Sequence, residues 1–222
     1  MNVCLPCAWC KSLSVASVTL VVIGLWFGEG TAFAKPIKVL AFGDSLTAGY
    51  GLANAHSFTS QLKNALTAEG IDVVLINGGV SGDTSAGGRA RLGWALSDEP
   101  DIVILELGAN DGLRGLEPSE TERNLDAIIA ELKSRGIYVL LSGMKAPPNL
   151  GFQYGSEFNA VYPRLAKRYD VEFDPFFLEG VVADLNLNQA DGIHPNEKGV
   201  GVIIKRLLPM IRHLIVKVHE NR

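Results

Sequence analysis

Four short segments of this chain hold side chains with chemical potential. Gly43-Asp44-Ser45-Leu46 presents a hydroxyl beside a carboxylate, and Ser81-Gly82-Asp83-Thr84 a glycine in a polar loop. Gly108-Ala109-Asn110-Asp111 presents a side-chain amide, and Asp191-Gly192-Ile193-His194-Pro195 an imidazole shortly after a carboxylate. Together they contain what acyl transfer to water requires. A serine hydroxyl is a weak nucleophile until a histidine accepts its proton, and a carboxylate on the far ring nitrogen holds the tautomer that can do so. The oxyanion that develops needs N–H donors already aimed at it. Ser45 is therefore the candidate nucleophile, His194 the base and Asp191 its orienting carboxylate. The backbone N–H groups of Ser45 and Gly82 and the side-chain amide of Asn110 are the candidate oxyanion donors.

Other readings of the same residues are weaker. Asp191-x-x-His194 has metal-ligand spacing, but no third ligand cluster accompanies it, so neither a metal nor a cofactor is expected. Asp44, Asp111 and Lys145 suggest a phospho-acceptor site, which would leave Ser45 and His194 without a role. Asp44 and Asp83 are expected to accept loop-stabilising hydrogen bonds. His56, His213 and His219 have no comparable setting and are expected on the surface or at helix ends. The chain order Ser, Asp, His is that of α/β-hydrolases, although Gly43-Asp44-Ser45-Leu46-Thr47 is not their Gly-x-Ser-x-Gly elbow.

These segments must be positioned by regular elements. Apolar, β-branched runs at Ile37–Phe42, Val73–Asn77, Ile102–Leu107 and Ile137–Ser142 are nearly continuous, as expected of strands buried on both faces, and Val171–Phe173 adds a fifth. Helical patterns separate them. One starts at Ser119, where Ser119-x-x-Glu122 has capping-box spacing, shows an apolar face at Leu125, Ile128, Ile129 and Leu132, and stops at Gly136. A last helix carries Val200, Ile203, Ile204, Leu207, Ile211 and Leu214 on one side, with Pro209 expected to bend or split it. Alternating βα units predict an α/β fold, a three-layer α/β/α sandwich with a parallel sheet of about five strands. In such sheets ligands sit beyond the carboxyl ends of the strands, where the four segments fall.

The N-terminus reads differently. No charged residue occurs from Ser12 to Gly28, Lys11 precedes this stretch, and Ala32-Phe33-Ala34 follows it. That is the form of a cleaved signal peptide over 1–34, leaving a domain over 35–222, with an uncleaved anchor as the competing reading. Secretion, to the periplasm, and no stable membrane insertion after cleavage are expected. Cys4, Cys7 and Cys10 all lie in this segment, so the remaining chain has no thiol chemistry or disulfides. The whole chain has 222 residues, a net charge of −4, 47% hydrophobic and 20% charged residues. Disorder is excluded, and no basic footprint for nucleic acid is present.

The four segments, in this order and at these strand ends, resemble the four blocks of the SGNH (GDSL) hydrolase superfamily. Leu107-Gly108-Ala109-Asn110-Asp111-Gly112-Leu113-Arg114-Gly115 and Asp191-Gly192-Ile193-His194-Pro195-Asn196 are most similar to its bacterial periplasmic thioesterase I, lysophospholipase and arylesterase branch. The resemblance implies a flavodoxin-like fold and hydrolysis of acyl esters (thioesters, lysophospholipids or aryl esters) through an acyl-Ser45 intermediate. It also places Ser45, Asp191 and His194 in the triad and Ser45, Gly82 and Asn110 in the oxyanion hole. Leu113, Arg114 and Leu116 after the third strand, and Pro147 in the loop from Pro147 to Tyr154, are expected to line a substrate groove. Carbohydrate O-deacetylation is the alternative, disfavoured because Trp94 is the lone tryptophan after position 34. A catalytically silent binding domain would have no need of all five site residues.

Overall fold

The structure, a computed structural model, describes residues 35–222. The expected signal segment lies outside the described residues. Five parallel strands, β1 (Ile37–Gly43), β2 (Val73–Gly79), β3 (Ile102–Glu106), β4 (Tyr138–Ser142) and β5 (Glu172–Asp174), form one sheet in the order β2-β1-β3-β4-β5. Around it lie α1 (Ser45–Ala48), α2 (Phe58–Ala68), α3 (Ser85–Ala95), α4 (Ala109–Leu113), α5 (Pro118–Ser134), α6 (Phe152–Tyr169) and α7 (Glu197–Glu220). Right-handed crossovers put α2 on one face with α7, and α3, α5 and α6 on the other, and the observed packing pairs are α2 with α7, α3 with α5 and α5 with α6. This is the expected α/β/α sandwich.

Three local expectations need correction. The apolar run of β2 does not lie buried on both faces: β2 is an edge strand, and Val74 and Asn77 are exposed. Strand order, which a run of valines cannot encode, decides this. Helix α5 does not use a capping box at Ser119. It starts at Pro118, and Glu117 before it makes no side-chain cap bond. Proline fixes φ and has no N–H to satisfy, so the first turn forms without the box. Helix α7 is not split at Pro209. The lost bond and ring clash cost about 3 kcal/mol. Burial of Ile203, Ile204, Leu207, Ile211 and Leu214 contributes about 1.5–3 kcal/mol for each, which wins.

The topology creates the crevice. After β1 the chain turns towards β2, and after β3 it turns the opposite way towards β4, so the loops above these adjacent strands diverge. Gly43 pairs in register with Glu106, which sets the two strand ends level. Ser45 follows one end and Asn110 the other.

Candidate active site

Ser45 is the first residue of α1. Asp44 caps that helix, its carboxylate accepting the Leu46 N–H at 3.0 Å. The preceding Gly43 has no room for a side chain. A Cβ there would sit 2.1 Å from Thr47 Oγ1 and 2.5 Å from the Glu106 carbonyl oxygen. Only glycine lets α1 fold back this closely over the strand ends.

His194 Nε2 lies 2.9 Å from Ser45 Oγ, and His194 Nδ1 lies 2.6 Å from Asp191 Oδ2. The other Asp191 oxygen accepts the backbone N–H groups of Ile193 at 2.9 Å and His194 at 3.0 Å. One carboxylate thus shapes the loop and orients the ring that the loop carries. Those backbone bonds, with the His194 side chain, hold the Asp191 pKa down to about 2, so it is a carboxylate at neutral pH. The Tyr50 ring packs on the imidazole at 4.7 Å between centroids. Gln189 ties this loop to the one after Ser45 by donating to the Tyr50 carbonyl at 2.7 Å.

The Asn110 amide donates to Asp44 Oδ2 at 3.0 Å and to the Asp83 carbonyl at 2.9 Å. Gly82, at φ +84°, occupies a left-handed position that favours glycine. Among the described residues, neither the Ser45 nor the Gly82 backbone N–H has an acceptor. Arg91 braces this side, pairing with Asp83 at 2.5 Å and donating to the Gly43 carbonyl at 2.9 Å. Buried Asp111 accepts from the Ser85 N–H at 2.8 Å and from Thr121 Oγ1 at 3.2 Å, binding the loops after β2 and β3 together. Asp44 and Asp83 are thus loop-stabilising acceptors, as expected of them.

A cavity of about 500 Å³ opens from Ser45, Asn110 and His194. Leu113, Met144, Pro147, Phe176, Val182 and Ile193 give it a largely apolar wall, and the Lys145–Glu179 pair at 3.4 Å is its charged edge. Two expected groove residues do not line it. Arg114 turns to the Gly82 carbonyl, donating at 2.9 Å, and Leu116 lies by Tyr154, whose hydroxyl donates to the Leu116 carbonyl at 2.7 Å. The helical turn of α4 directs Leu113 into the cavity and carries its successors away. A hollow of about 600 Å³ beside β2 has no histidine in its wall.

Several residues of the site carry little chemical signal in the sequence. Tyr50, Phe176 and Val182 sit in loops whose apolar content looked unremarkable. Glu106 was hidden inside the strand run Ile102–Leu107, where a lone acid in an apolar strand was the available signal. No group of three or more His, Cys, Asp or Glu side chains suited to a metal occurs among the described residues. No helix of the described residues is long and apolar enough to cross a membrane.

The model of the GDSL-like Lipase/Acylhydrolase family matches residues 41–202. An arylesterase of Vibrio mimicus is 41% identical over 80% of this chain and 90% of its own length. A thioesterase 1/protease 1/lysophospholipase L1 of Escherichia coli is 38% identical over 79% of this chain and 85% of its own. Among solved structures, the esterase EstA from Pseudoalteromonas sp., inhibited by monoethylphosphonate, superposes with a TM-score of 0.76 at 32% identity, covering 80% of this chain and 98% of that one.

Proposed function

The chain belongs to the GDSL-like lipase/acylhydrolase family and is a serine hydrolase of ester or thioester bonds, and from that premise we propose that Ser45 is its nucleophile, His194 its base and Asp191 the carboxylate that orients the base. The observation that carries this is the hydrogen-bonded line from Ser45 Oγ through both ring nitrogens of His194 to Asp191.

In the first half-reaction the Ser45 hydroxyl proton passes to His194 Nε2 as Oγ bonds to the acyl carbon. The carbonyl oxygen becomes an oxyanion, received by the Ser45 and Gly82 N–H groups and the Asn110 amide. The intermediate collapses, the bond to the leaving oxygen or sulfur breaks, and His194 returns its proton to that atom. Water then repeats the sequence on the acyl-Ser45 and releases the acid. Both Asn110 amide hydrogens are already engaged, so donation to the oxyanion displaces or shares the bond to the Asp83 carbonyl. A serine-reactive phosphonate is expected to label the protein stoichiometrically, with the adduct mapped to Ser45 by peptide mass spectrometry. Labelling elsewhere, or none, rejects the assignment.

The apolar cavity wall supports an acyl or aryl group as the occupant, which favours aryl esters, acyl thioesters and lysophospholipids over acetylated sugars. Leu113 and Pro147 are the proposed substrate contacts from the loops after β3 and β4. Val182→Trp fills part of this space. Across p-nitrophenyl esters of rising chain length, it is expected to lower kcat/KM about 10-fold or more for long chains while sparing acetate, since a few lost methylene contacts are worth about 1–3 kcal/mol. An unchanged chain-length profile would place the acyl group elsewhere.

We further propose that residues 1–34 are a signal peptide removed after Ala34, so that the enzyme acts in the periplasm. Its N-terminal residue, read from protein recovered outside the cytoplasm, is expected to be Lys35. A chain that still begins at Met1 would contradict this.

A further inference from the structure

Glu106 ends β3 fully buried, directly behind Asp44, which is fully buried as well. Two carboxyl groups therefore share one dry site at the back of the proposed oxyanion loop, and the reaction just described uses neither. Their partners are unequal. Asp44 accepts the Leu46 N–H at one oxygen and the Asn110 amide at the other, and His194 favours its anion. Glu106 Oε2 accepts from Thr47 Oγ1 at 2.7 Å and from the Asp44 N–H at 3.3 Å. Its Oε1 is buried without a donor among the described residues.

A carboxylate oxygen buried without a donor is costly, whereas a neutral carboxyl tolerates the vacancy and can itself donate. Two carboxylates in one buried site cannot both ionise cheaply. We propose that Glu106 is a positioning residue for the reaction: it keeps its carboxyl proton, donates it to Asp44, and so holds the Asp44 carboxylate that in turn holds the Asn110 amide. The pair then carries one negative charge, and that charge lies where Asn110 can use it as an acceptor. This inference rests on the reading of Asn110 as an oxyanion donor.

Charge and burial point the same way. Burial, and then the charge of Asp44, push the Glu106 carboxyl well above the usual carboxylate range. Asp44 is raised by burial to about 6, less far because Leu46, His194, Asn110 and Glu106 all favour its anion. The other groups facing the pair are Tyr162 of α6, whose own raised pKa reflects burial first and both carboxylates among its further causes, and Arg91 of α3, which reaches the Gly43 carbonyl. The sign follows. Between its ordinary and its folded pKa, Glu106 binds a proton in the folded protein that the unfolded chain has released, so stability falls as pH rises through that window. Loss of the same proton puts a second negative charge behind the oxyanion, and kcat falls with it. Asp44 takes up its own proton at about 6, so the alkaline limb, not the acid one, is diagnostic.

The test compares kcat and melting temperature from neutral to alkaline pH in the wild-type protein and in Glu106→Gln, whose side chain donates to Asp44 but has no proton to lose. Wild-type melting temperature is expected to decline with rising pH until the folded protein loses the Glu106 proton and then level off, with kcat beginning to fall at that point, and Glu106→Gln to lose the fall in kcat and most of the decline in melting temperature. Equal declines in both proteins, or a level wild-type profile, overturn the proposal. Should Glu106→Gln fail to fold, the infrared spectrum of the wild-type protein at neutral pH still decides: a protonated buried carboxyl band is expected, and its absence overturns the inference. An Asn110→Ala variant with normal kcat would remove the oxyanion reading while leaving the infrared band and the stability difference in place, so the two failures are distinguishable.

Discussion

Ser45→Ala is expected to lower kcat by about 10⁶ while leaving the melting temperature within a degree or two of wild type. The size follows from the nature of the step. Without the hydroxyl there is no acyl-enzyme, and what remains is the oxyanion donors acting on a free water. The small effect on folding follows from the surroundings. Ser45 Oγ makes one side-chain hydrogen bond, to His194, at the wall of an open cavity, and α1 is capped by Asp44 rather than by Ser45. The measurement is single-turnover hydrolysis of a p-nitrophenyl ester by folded, purified variant, with circular dichroism on the same sample. A rate within about tenfold of wild type would end the nucleophile assignment.

Asn110→Ala is expected to act on chemistry and stability together. Loss of one oxyanion donor lowers kcat by about 10²–10³, roughly 2.7–4 kcal/mol, with a much smaller change in KM, because the bond strengthens only as the carbonyl becomes tetrahedral. The variant also strands two buried or half-buried acceptors, Asp44 Oδ2 and the Asp83 carbonyl, and should cost about 1–3 kcal/mol of folding free energy. Both effects are read on one preparation, kcat from steady-state kinetics and stability from urea unfolding. A destabilised protein with near-normal kcat would leave Asn110 as a brace between the loops after β1, β2 and β3, and nothing more.

Much of this was legible in the residues. The five apolar runs became the five strands within a residue or two, and the apolar stripe of α5 is fully buried, because burial of a strand or a helix face writes its own period into the chain. The turn that presents His194 was legible for a similar reason: Asp191 lies close enough in sequence to accept the Ile193 and His194 N–H groups, an interaction set by local geometry. Side-chain types named the chemistry, since few combinations of hydroxyl, imidazole, carboxylate and amide at strand ends suit anything but acyl transfer.

Only the tertiary structure decided what lies next to what. Ser45 and Asn110 meet because β1 and β3 are neighbours in the sheet, and His194, 149 residues from Ser45, reaches them from the loop before α7, which packs on α2, an ordering that no local pattern contains. The same ordering puts β2 at an edge despite its valines, turns Arg114 to the Gly82 carbonyl and Leu113 to the cavity, and sets the lone acid of β3 against Asp44. Propensity, periodicity and capping act over a few residues, so the chain carries them directly. Proximity across strands, and the burial and shared proton that follow from it, depend on how the whole sheet is wound.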